Sequence, residues 1–256
     1  MVRAFTIFTV AFASLFHQPT TAGASELIWG SGYSWSIGEV SNDYVVDGVT
    51  LSFSINDLNS PGAIDPDPEP LGSPGSPQTN NYIDPTGNAG AESLFMKTPG
   101  NTSGVEVTLV FDTPVVGVNF QTFDVDATGS SGLGDYVDVV QSVATDGSTF
   151  FGPTSVTGNG SEVWALQGDG QTIIAFENAD QSGGDSANGT ALWSFDVPLT
   201  SITISYENGD PAAGVQWIAI SSISFTAVPE PSTGLLFGLG ILGLAFRGRM
   251  VRAQQQ

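Results

Sequence analysis

Val49, Leu51, Phe53 and Ile55 alternate with Thr50, Ser52 and Ser54. Successive side chains of a strand point to opposite faces, so this period sets four apolar groups on one face and hydroxyls on the other. The same period recurs in Val105, Val107, Leu109 and Phe111, and again in Ile202, Ile204 and Tyr206. Half-buried strands are predicted at all three places. Further apolar runs predict strands over 115–123, 136–143, 162–166, 171–176, 192–197 and 215–225. In the last of these the apolar phase slips from Ile218 and Ile220 to Ile223 and Phe225, which predicts a bulge near Ser221 and Ser222. Turn pairs punctuate the runs at Asp47-Gly48, Asp146-Gly147, Asp169-Gly170 and Asn208-Gly209. Outside the two termini no segment carries an apolar stripe of helical period. The fold class is all-β, an antiparallel β-sandwich or jelly-roll body.

One stretch breaks the pattern. Residues 59–90 are too rich in proline for any ladder and read as a long Pro/Gly-rich surface loop. Strand-like sequence on both sides makes it an insertion within one domain, 25–227, with a split into two domains as the alternative. At the N-terminus, Arg3, an apolar run from Ala4 to Phe16 and the small-residue site Ala22-Gly23-Ala24 have the form of a secretory signal peptide, 1–24, cut before Ser25. The apolar run is short of the roughly 20 residues a membrane span needs.

Composition narrows the partners. Removing 1–24 takes away His17, the only histidine, and Arg3. Residues 25–227 then hold one basic residue, Lys97, against 25 carboxylates, the chain's 26 less Glu230. Such a surface repels phosphate backbones and anionic headgroups, so no nucleic-acid partner is expected, nor docking to lipid by charge. Cysteine is absent, so an exported body must be held by its core or by bound metal.

The same absences bear on catalysis. Without histidine or cysteine in the body there is no Ser-His-Asp triad, Cys-His pair, histidine-ligated zinc or thiolate metal site. Lys97 reads as a solvated surface lysine. A carboxylate-only glycosidase stays open, since it needs only two facing Asp or Glu side chains. No catalytic residue is assigned, and the chain is not expected to be an enzyme.

The candidate ligand site is the acidic run from Asp124 to Asp135. Asp124, Asp126 and Thr128 fall at positions 1, 3 and 5 of a calcium-loop pattern, with Gly129 at position 6 and Asp135 at position 12. Hard Ca²⁺ takes six to eight oxygens, and a glycine turn folds alternate oxygens onto one centre. Strand-like flanks exclude an EF-hand helix pair, and Asp138 is a reserve ligand nearby. A solvated, metal-free acidic hairpin is the alternative. In Asp65, Asp67 and Glu69 alternating prolines splay the carboxylates and make calcium less suited. Trp29, Tyr33 and Trp35 read either as a sugar-stacking platform or as packing groups, whereas Trp164, Trp193 and Trp217 read as core.

The C-terminal tail carries the most specific signal. Pro229-Glu230-Pro231 is followed by 13 apolar or glycine residues from Gly234 to Phe246, then by Arg247, Arg249 and Arg252. A transmembrane helix over 232–246 is marginal, because 13 residues of helix span about 20 Å of a hydrocarbon core of about 30 Å. The arginines place its C-terminal end in the cytoplasm and the body outside. Motif, apolar segment and basic stop together, over 228–252, resemble the PEP-CTERM sorting signal of Gram-negative bacteria that make exopolysaccharide. The resemblance implies recognition by exosortase, a membrane-embedded, cysteine-dependent protease or transpeptidase. It also implies a transient membrane anchor, processing near Pro-Glu-Pro, and delivery to the cell surface or medium. The two prolines hold Glu230 in an extended segment that a protease can bind. The expected function is a non-enzymatic surface or matrix protein with a structural or adhesive role in exopolysaccharide. The alternatives are a secreted glycosidase and a plain membrane-anchored binding protein.

Overall fold

The computed structural model describes residues 23–36, 39–58, 78–80, 93–98, 104–128, 136–159, 164–176, 189–209 and 216–229. Residues 1–22, where the signal peptide is expected, most of the 59–90 segment, residues 129–135 and the tail from Glu230 onward lie outside the described residues. So do Asp65, Asp67 and Glu69.

The strands in chain order begin with β1 (Ser25–Leu27), β2 (Ser41–Val46), β3 (Val49–Asp57), β4 (Gln78–Asn80) and β5 (Ser93–Thr98). The longest, β6 (Val105–Phe123), is followed by β7 (Ala127–Thr128), β8 (Tyr136–Thr145), β9 (Phe150–Phe151) and β10 (Ser155–Asn159). The set closes with β11 (Trp164–Leu166), β12 (Thr172–Ala175), β13 (Thr190–Phe195), β14 (Leu199–Asn208), β15 (Gln216–Ile220) and β16 (Ile223–Ala227). Every pairing between these strands is antiparallel, and the described residues contain no α-helix.

The predicted alternation is realised. Val49, Leu51, Phe53 and Ile55 are buried, as are Val105, Val107, Leu109 and Phe111, and Ile202, Ile204 and Tyr206. Each such side chain removed from water contributes about 1.5–3 kcal/mol. Asp47 and Gly48 both take positive φ, 50° and 86°, which makes the two-residue turn that joins β2 to β3.

The sequence runs at 105–111 and 115–123 form one strand through Pro114. Its first part pairs with β3 and β14, its second with β13, β15 and β16. The β14 register breaks between Val110 and Val115, so the sheet turns a corner there. Side chains from both parts enter one core, and the rings of Phe111 and Phe225 lie 5.5 Å apart across it.

The slip at Ser221 and Ser222 is a bulge between β15 and β16. Ile220 opposes Thr122 but Ser224 opposes Asn119, so four steps face three. Between Ser224 and Thr226 the extra residue lies on β6 instead, beside Gly117 at φ 64°, and the register is restored. One correction concerns the 59–90 segment: Gln78–Asn80 is not loop but a short strand paired with β5.

Candidate functional site

Two features bear on function, at opposite ends of the sheet. The first is acidic. Asp124 follows β6 in the left-handed region, φ 65°, which an aspartate tolerates better than most residues. The chain then runs into β7, where Ala127 opposes Val137 and Thr128 opposes Tyr136. This ladder sets Asp126 opposite Asp138, whose N–H donates to the Asp126 carbonyl at 3.1 Å. The Asp126 N–H in turn donates to Asp138 Oδ2 at 3.0 Å, and the Tyr206 hydroxyl donates to Asp138 Oδ1 at 2.7 Å. Asp126 and Asp138 are buried and Asp124 is partly so.

Burial, and then the Asp126 charge, push the Asp138 carboxyl well above its ordinary range, against the two hydrogen bonds it accepts. The same two causes push Asp124 up to about 7. Burial and then the Asp138 charge raise the Tyr206 hydroxyl.

The structure thus brings Asp124 and Asp126 close to the reserve residue Asp138. Thr128 lies in β7, and Asp135 lies outside the described residues. Among the described residues no group of three carboxylates is placed to hold a metal ion by itself. The spacing rule missed the ladder between β7 and β8, which sets Asp126 against Asp138 across strands.

Trp29 and Trp35 are core residues rather than a platform. Both are buried, and they pack edge to face on Phe53. Their indole N–H groups donate to the Ser221 and Glu39 carbonyls. Trp164 and Trp193 are buried as expected, and Trp193 stacks on Phe120 with 6.3 Å between ring centroids. A surface hollow of about 180 Å³ is lined by Val139, Gln141, Thr172, Ser205 and Glu207, with a single carboxylate. It is smaller than the roughly 300 Å³ at which ligand clefts begin.

The second feature is the exit of the tail. The last strand, β16, pairs with β6 through Thr226–Val116 and Ala227–Val115, and the Val228 N–H donates to the Pro114 carbonyl at 2.9 Å. Pro229, next in line, is exposed. Glu230 and Pro231, the segment from Gly234 to Phe246, and Arg247 and Arg249 lie outside the described residues. No described helix is long and apolar enough to cross a membrane. Ala24 is exposed just ahead of β1, and Ala22 lies outside the described residues.

No curated protein matches the chain. Residues 227–249 match the PEP-CTERM protein-sorting motif, so the match begins on the last residue of β16. The chain thus carries a C-terminal PEP-CTERM protein-sorting motif, the mark of an exported protein processed by exosortase.

Proposed function

We propose that the chain is a non-enzymatic surface or matrix protein, whose sheet, folded at Pro114 around one core, serves as an extracellular β-sandwich body in exopolysaccharide. The observation that carries this reading is the sorting motif set on the last strand of a body with no histidine or cysteine. A signal peptide brings the chain through the membrane, the segment 232–246 holds it there as a transient helix, and exosortase processing near Pro229-Glu230-Pro231 frees the body. Its role is structural or adhesive. Calcium at Asp124, Asp126 and Asp138, completed by oxygens of Thr128 and Asp135, stiffens the end of the body far from the tail. Burial of Asp124 and Asp138, with the Asp126 charge raising both, leaves carboxyl groups that a nearby cation would help to ionise, and this supports the reading.

The test is the intact mass of the protein from native cells, with membranes, surface and medium analysed separately. A product ending near Pro229 and found outside the membrane is expected. Full-length protein retained in the inner membrane through Arg252 would reduce the tail to a plain anchor and remove the matrix role.

A further inference from the structure

The strand that leads into the sorting motif has almost no free chain between it and the motif. Ala227 is still paired with Val115, Val228 is bonded to Pro114, and Pro229 follows directly. From Pro229 to Gly234, where the apolar segment starts, there are five steps of chain. Fully extended, five steps reach no more than about 18 Å. An enzyme embedded in the membrane that holds Pro229-Glu230-Pro231 is therefore forced against the folded body at this corner.

The N-terminal end points to the same corner. Ser25 opposes Phe225 and Leu27 opposes Ile223, so β1 begins where β16 ends. The signal peptide and the sorting tail thus leave from neighbouring strands. The turn 196–198 between β13 and β14 borders the corner too, since Leu199 opposes Val115. So does the hairpin between β8 and β9, because Thr145 opposes both Ser201 and Phe150.

What this corner presents is unlike a lipid-binding face. Phe150 is 78% exposed and Val197 43% exposed. Asp146 in the same hairpin as Phe150 and Asp196 beside Val197 are exposed, as are Asp47 in the β2–β3 turn and Asp112 near Pro114 in β6. An anionic leaflet repels that rim, whereas a basic protein surface complements it, and an exposed aromatic group is a typical interface anchor.

We infer that this corner, with Phe150 and Val197 inside an acidic rim, docks on a basic, partly apolar outer face of exosortase while the motif is being processed. The inference rests on exosortase reading the motif. It adds that the body itself takes part in recognition.

The test follows loss of the tail by pulse-chase and intact mass in a host carrying its exosortase. Three altered full-length chains are compared with the parent. One joins Phe150→Ala to Asp196→Lys at the corner. A control joins Phe176→Ala to Glu207→Lys, exposed positions at the far end. The third inserts about a dozen Gly and Ser residues between Val228 and Pro229, roughly 20 Å of flexible reach. The corner chain should be processed at least threefold more slowly, the control at the parental rate. The linker should slow processing similarly and abolish any further effect of the corner substitutions. Equal rates for corner and control chains, or a linker chain processed as fast as the parent, would overturn the docking. Slowing that follows anionic-lipid content instead of exosortase would assign the face to the bilayer and overturn it as well. If not even the parent loses its tail, the sorting reading itself fails and the docking falls with it.

Discussion

Replacing Asp124 by Asn removes a charge the fold holds at a cost. The carboxyl stands at about 7 in the folded chain against 3.8 when unperturbed, with burial the main cause and the Asp126 charge the second. Below pH 3.8 folded and unfolded chains both carry the proton, and that contribution to stability is fully present. Between 3.8 and about 7 the folded chain holds a proton the unfolded chain has lost, so stability falls as pH rises through that window. The full loss at pH 7.5 is about 4 kcal/mol, and solvent access to a partly exposed group brings the working figure to about 2 kcal/mol. Asn keeps the shape and tolerates φ 65°, so it removes the loss without straining the backbone. Urea unfolding of the purified protein at pH 4 and pH 7.5, in chelator and in millimolar calcium, reads the effect. In chelator, Asp124→Asn should be the more stable chain at pH 7.5, with the difference largely gone at pH 4. If calcium binds as proposed, the order should reverse in calcium, because the parent offers the ion a charged carboxylate where the variant offers only a neutral amide oxygen. Parallel pH profiles for the two chains in chelator would refute the electrostatic reasoning, and an unchanged order in calcium would remove the ion.

Two other substitutions test the packing. Trp193→Ala empties a fully buried site against Phe120 and strands the Thr122 hydroxyl that its indole N–H reaches at 3.0 Å; a loss of about 4 kcal/mol in urea unfolding is expected. Tyr206→Phe takes one hydrogen bond from the buried Asp138 and should cost about 2 kcal/mol at neutral pH. Because that bond lowers the Asp138 carboxyl, its loss should also shift the fall in stability to higher pH, which the same titration detects.

Strands exposed on one face were legible in the sequence, because alternation is the imprint of half-burial. β5 was not, since Leu94, Phe95 and Met96 are all buried and leave no period to read. β2 offers only Tyr44 and Val46 to the core, with Val45 turned outward, too little pattern for a prediction. The continuity of β6 through Pro114 was hidden because a proline lacks the donor that a ladder needs; here the residue lies exposed at the corner, and its carbonyl does the bonding. Of the acidic site, local spacing found Asp124 and Asp126. Their partnership with Asp138 and Tyr206 depends on register between strands, which no spacing along the chain contains. The tail was legible because its signal is covalent order and hydropathy, with no need of a fold.

The bond from Val228 to Pro114 closes a strand that lies between two others: β16 is flanked by β1 and by β6. If the body is held by its C-terminal end while its far end is dragged, tension enters along the axis of β16. Bonds across an antiparallel ladder stand perpendicular to that axis, so they bear the load side by side in shear, where peeling would break them one after another. While the tail still holds it, before processing, a body pulled in this way shares the load between the ladders on both sides of β16.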